Sequence, residues 1–146
     1  MATISYLENR FYYKGYPCVV LFHPFCHRCG YVGVPTSHPY YGKEYYKLPD
    51  IDVHGGVTYC ENSLYNCDDK DTWWIGFDCA HVTDKPDYEA GLRYFANDSE
   101  TIDLINYKIQ RKASLFIPLK VRTLEFVENE LKHLVDQIVE AENNGI

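Results

Sequence analysis

A chain of 146 residues, 46% of them hydrophobic, is long enough to bury one sizeable core without metal or disulfide staples, and short enough to be a single domain. Its formal charge of −7 argues against a long nucleic acid as partner, because such binding needs many phosphates neutralised together. A small nucleotide, held by one or two cations and backbone amides, stays open.

No apolar run approaches the ~20 residues that span a bilayer, and the opening "MATISYLENRFYYKG" lacks the basic-then-apolar layout of a secretion signal. These features predict a cytoplasmic protein with no membrane partner, whose six cysteines are reduced thiols and not a disulfide framework.

In chain order, "RFYYKGYPCVVLFH" (10–23) predicts two extended stretches turning at Lys14-Gly15, a hairpin. "CGYVGVP" (29–35) is a short strand stopped by Pro35, and 36–50 is an ordered loop without helical or strand period. "GGVTYC" and "TWWIGFD" read as two further strands, joined by the polar "ENSLYNCDDKD". Residues 48–100 hold twelve acidic and three basic side chains, and the stretch 81–100 reads as an acidic excursion with at most one helical turn.

Leu124, Val127, Leu131, Leu134, Val135 and Ile138 recur at spacings of three and four. They predict an amphipathic helix over 121–143, with Thr123 as N-cap and Gly145 beyond its stop. The fold class is therefore α+β: one domain, a β-rich part (1–120) forming an antiparallel meander with loops, and one long C-terminal helix packed on it.

Chemistry concentrates in two segments, "DVHGGVTY" (52–59) and "WWIGFDCAH" (73–81). Asp52, His54, Asp78, His81 and Asp84 form the densest acid and imidazole set. Asp52 and His54, two apart on an extended segment, would share a face, while Asp78 and His81 sit at a strand exit. Such groups could bind a divalent metal, act as acid and base, or hold sugar hydroxyls; strand-end carboxylates also serve simply as caps and turns.

Gly55-Gly56 permits positive φ and close backbone approach, the geometry of an anion nest or of any tight turn. Of Trp73 and Trp74, on alternate faces of a strand, one would be core and the other available to stack on a base. Fourteen Tyr, seven Phe and two Trp suit both stacking and oligomer interfaces.

Cys26 and Cys29 have the spacing of half a zinc knuckle, but Cys60/Cys67 and Cys79/His81 have the wrong spacing to complete it. No metal or other cofactor is therefore expected. A thiol–imidazole pair of Cys29 or Cys79 with His54 or His81 stays a question of geometry.

"HRCGYVGVP" (27–35), "HPYYG" (38–42), "DVHGGVTY", "WWIGFDCAHVTD" (73–84) and "RTLEFVENELKHLVDQI" (122–138) together resemble a family of small proteins common in phage and prophage genomes. Cys26 lies outside that pattern, which weakens the zinc reading further. Arg28 lies within it, and so enters the site as the cation able to pair with phosphate bidentately. Residues 98–118 are longer here than the family pattern, which leaves their role open.

A small phage protein with an aromatic, polar pocket implies a counter-defence role in the infected host cell. The expected function is sequestration of a nucleotide-derived immune messenger of the cyclic ADP-ribose type. Trp74 or a neighbouring tyrosine would stack the base. Tyr31, Thr58, Asp78, His54 and His81 would line the pocket, and Arg28 with the Gly55 and Gly56 amides would take the pyrophosphate. A homo-oligomer is expected with it. The rival is a hydrolase of the same signal with His54, His81 and Asp78 as its chemical groups, the two histidines serving as acid and base or, with Asp78 and Asp84, as metal ligands; a third reading is a module that blocks a host protein.

Overall fold

Alternating apolar residues and a tight turn start the sheet. The computed structural model describes residues 4–64, 71–111 and 119–144. β1 (Tyr6–Tyr13) and β2 (Tyr16–Phe22) pair antiparallel across Lys14 and Gly15, both at positive φ (51° and 84°), the two-residue turn whose twist matches that of the strands. β3 (Arg28–Pro35) returns beside β2, and β5 (Thr72–Asp78) pairs with β3. β4 (Tyr59–Glu61) closes the edge, giving the order β1-β2-β3-β5-β4. The predicted strand from Gly55 is thus shorter: Gly55 and Gly56 take positive φ (70° and 82°), and pairing begins only at Tyr59.

β6 (Asp84–Lys85) and β7 (Lys120–Val121) form a small parallel pair. Between them the expected acidic excursion is helical. α1 (Tyr88–Tyr94) is capped by Asp87, and α2 (Ser99–Gln110) by Asp98, which accepts from the Thr101 amide. These helices pack Ala90, Phe95 and Ile105 around Phe22 and Cys26. Ile102, Ile105 and Ile109 lie one helical turn apart, and that apolar stripe gives residues 99–110 the role the sequence reading left open.

α3 (Leu124–Asn143) forms as predicted but starts at Leu124 and not at 121, because Val121 belongs to β7; the Thr123 hydroxyl accepts from the Phe126 amide at 3.1 Å, and Gly145, its predicted stop, lies outside the described residues. Its apolar stripe of Val127, Leu131, Leu134, Val135 and Ile138 packs on Val20, Val32, Val34, Ile75 and Phe77 of the sheet, and all of these are essentially inaccessible. At roughly 1.5–3 kcal/mol per fully buried apolar side chain, this layer dominates the favourable side of folding. The opposite sheet face carries Val19, Leu21, Leu64 and Trp74. No helix among the described residues is long and apolar enough to cross a membrane.

Candidate functional site

The loop before β4 is fixed by an apolar anchor and a polar clamp. Val53 is buried in the main core, and the Gly56 amide donates back to the Val53 carbonyl at 2.8 Å. On α3, the Gln137 side chain accepts from the Asp52 amide at 2.9 Å and donates to its carbonyl at 2.8 Å. The Glu130 carboxylate accepts from the His54 amide at 2.8 Å.

The segment is therefore a turn and not a strand, and the expectation that Asp52 and His54 share a face fails. The Asp52 carboxylate faces outward to His133 at 3.1 Å, while the His54 ring turns inward, edge-on to Phe126.

What His54 meets is Asp84. The β6–β7 pair places this carboxylate, its side chain only 1% exposed, beside Arg122. His54 Nε2 lies 3.1 and 3.0 Å from the two carboxylate oxygens. His81 Nδ1 lies 2.9 Å from Oδ2, which also accepts from the His81 amide at 3.1 Å. Arg122 Nε donates to Oδ1 at 2.7 Å. Burial alone would raise this carboxyl, but the hydrogen bonds from His54, Arg122 and His81 outweigh it and hold Asp84 well below the usual carboxylate range. As an ionised acceptor it fixes both tautomers: the His54 proton sits on Nε2 and the His81 proton on Nδ1.

The exposed end of the cluster is His81, whose side chain is 37% accessible. A Cβ on Gly55 would sit 2.2 Å from the His81 ring, so the glycine lets the backbone back directly onto the imidazole. His81 Nε2 faces Asp78 Oδ1 at 3.8 Å. Asp78 ends β5 and accepts from Thr58 Oγ1 at 3.3 Å and the Ala80 amide at 3.1 Å. His54, Gly55, Thr58, Asp78 and His81, all singled out from sequence, thus come together. Among the described residues, one group has ligand atoms placed to hold a metal ion: His54, His81 and Asp84, within 4.8 Å of one another.

Three other expectations need correction. Arg28 is not a spare cation: it is 5% exposed, pairs twice with Glu8 (2.7 and 2.9 Å), and donates to Asp87 at 2.9 Å and the Arg122 carbonyl at 3.0 Å. Glu8 sits at the β1 irregularity between Leu7 and Asn9, the kind of bulge that re-aims a side chain inward.

Trp74 is 2% exposed in the second cluster, a core residue and not a stacking surface; Trp73 is half-buried and donates to the Lys43 carbonyl. The Gly56 amide is spent on Val53 and is not free for an anion.

Tyr31 stands edge-on to Tyr59 on the same face as Trp74. Cys79 is buried, which pushes its thiol far up, and the Cys29 thiol rises to about 11 for the same reason. Neither is a ready nucleophile. Cys26 packs with Phe22 and Phe95, away from any second pair of ligands among the described residues.

Sequence reading missed Arg122. Its pairing with Asp84 spans 38 positions and depends on the β6–β7 contact, which leaves no local pattern. It also missed a groove of about 250 Å³ on the far arm of the Gly55-Gly56 turn, lined by Tyr45, Tyr46, Pro49, Ile51 and Gly56. No family model, no curated protein and no solved structure matches this chain, so the meaning of the site rests on its geometry.

Proposed function

We propose that the chain is a hydrolase of a small nucleotide-type phosphoester, with the His54–Asp84–His81 cluster activating the attacking water. The observation that supports this most is the convergence of two imidazoles on one buried carboxylate, with one ring open to solvent. An ionised acid behind an imidazole sets its tautomer and stabilises the imidazolium that forms when the outer nitrogen takes a proton. His81 Nε2, beside Asp78, is that outer nitrogen, and His54 is the second proton-carrying group. The exposed Tyr45 and Tyr46 at the neighbouring groove offer aromatic faces for a base.

Two of the groups assigned to sequestration from sequence are engaged elsewhere, since Trp74 is core and Arg28 is paired with Glu8 and Asp87. It remains an outcome of the test. Purified protein is incubated with a panel of cyclic and linear nucleotides, heat-denatured, and the released small molecules are identified. Turnover in the wild type, reduced at least 100-fold by His81→Ala, supports hydrolysis. Intact ligand recovered only after denaturation means sequestration, and no bound or altered nucleotide defeats both readings.

A further inference from the structure

We propose that His54, His81 and Asp84 form a divalent transition-metal centre, with two nitrogens and one carboxylate oxygen as ligands and a coordination position open on the His81 side. This deepens the proposed function, on whose site it rests, by naming what would hold the water. The ligand atoms are His54 Nε2, His81 Nδ1 and Asp84 Oδ2: His54 Nε2 lies 3.0 Å from Oδ2 and 3.1 Å from Oδ1, and His81 Nδ1 lies 2.9 Å from Oδ2. A tetrahedral ion with bonds of ~2.0–2.1 Å sets its ligands roughly 3.3 Å apart. The two nitrogen–oxygen distances need to open only by a few tenths of an ångström for an ion to replace the protons between the rings and the carboxylate, and all three ligand atoms lie within 4.8 Å of one another.

The surroundings fit such a centre. Arg122 Nε holds Oδ1 at 2.7 Å, which leaves Oδ2 as the single ligand atom of Asp84 and fixes the carboxylate plane. With metal on Nδ1, the His81 proton moves to Nε2, 3.8 Å from Asp78 Oδ1, so in the loaded protein His81 serves as a ligand and no longer as the proton acceptor. Closing that gap to hydrogen-bond distance would give the carboxylate–histidine–metal arrangement that orients and strengthens an imidazole ligand. The His54 proton moves likewise to Nδ1, so both rings stay neutral and no proton is lost.

Asp84 keeps protein donors when its imidazole protons give way to an ion. Arg122 on one oxygen and the His81 amide on the other already pair both sides of the carboxylate. Asp84 and Asp78 against Arg122 leave one net negative charge, which offsets half the charge of a dication. Two imidazoles select zinc, cobalt or iron(II) over calcium and magnesium, which favour all-oxygen sites.

The test uses the full chain stripped of metal, titrated with Co²⁺ while visible absorption is followed, and with Zn²⁺ in competition against a chromophoric chelator. One ion per chain is expected, with the intense visible bands of a tetrahedral cobalt site. His81→Ala, on a partly exposed ring and checked for folding by circular dichroism, should weaken binding at least 100-fold, and Asp78→Asn about 10–100-fold. His133→Ala, which removes the other surface His–Asp pair, should leave it unchanged. No stoichiometric binding at about 100 µM zinc, or binding lost in His133→Ala and retained in His81→Ala, overturns the proposal.

The two proposals fail separately, because binding is read without substrate. A metal-loaded protein that hydrolyses no nucleotide retains the centre and defeats the proposed function. Hydrolysis dependent on His81, in a protein that binds no ion, does the reverse.

Discussion

At the scale of single residues, Asp84 decides the site. A buried carboxylate without partners would cost several kcal/mol. Here its partners come from three places: the turn at 54, the strand exit at 81 and β7's flank at 122. Their convergence is therefore a condition of the fold as well as of any chemistry. Gly55 is the smallest component and the most constrained, because its φ of 70° and the His81 ring 2.2 Å from a notional Cβ both exclude a side chain. Gly55→Ala should cost about 1–2 kcal/mol for the left-handed backbone alone, and should displace His81. Urea unfolding would show the loss in stability, and nucleotide turnover would fall at least tenfold. An alanine variant with unchanged turnover would remove His81 from the site.

The acid and imidazole set was legible residue by residue, because Asp78, His81 and Asp84 lie close in sequence and His54 beside its glycines. The cation was not. Arg28 looked free in sequence because its partners, Glu8 and Asp87, are brought to it by sheet register and by the α1 cap. Arg122 gave no signal for the same reason.

At the scale of elements, α3 has two jobs on two faces. Its apolar stripe carries the core, while Glu130 and Gln137 on its flank hold the backbone of residues 52–54 in place. The stripe was readable from periodicity. The clamp was not, since Glu130 and Gln137 look like any solvated helix surface. α2 shows the reverse failure: its cap and isoleucine spacing were present in the sequence, but the acidic, loop-like stretch before it masked them.

The clamp can be separated from the core. Glu130→Ala with Gln137→Ala removes three hydrogen bonds to the turn, each contributing about 0.5–1.5 kcal/mol. Stability should fall by about 1–3 kcal/mol, less than the gross sum where water replaces the lost partners. Far-UV circular dichroism should stay unchanged because the stripe is intact. Turnover should drop more than tenfold as His54 loses its anchor, and full activity in this double variant would show that the turn holds itself.

At the scale of the whole molecule, acid should weaken the fold in two separate pH windows. Asp84 has a folded pKa far below its unfolded value. Its contribution is therefore complete above about pH 4 and is lost only as pH falls through the depressed value. His27 acts earlier. Burial, with His23 and Lys108 nearby, lowers its pKa to about 4, against the opposing pull of Asp78 and Asp84.

Between about pH 6.5 and pH 4 the unfolded chain takes up a proton at His27 and the folded chain does not, so stability falls as pH falls across that window. The full shift corresponds to roughly 3 kcal/mol, and partial exposure of the ring reduces this to about 2 kcal/mol. His23, stacked on His27 and also lowered, adds to the same limb. Urea midpoints measured from pH 7 to pH 4.5 should decline in the wild type and decline less in His27→Gln, with the two curves converging above pH 7. If the variant and the wild type decline in parallel, His27 is solvated in the fold, and the acid sensitivity belongs to other groups.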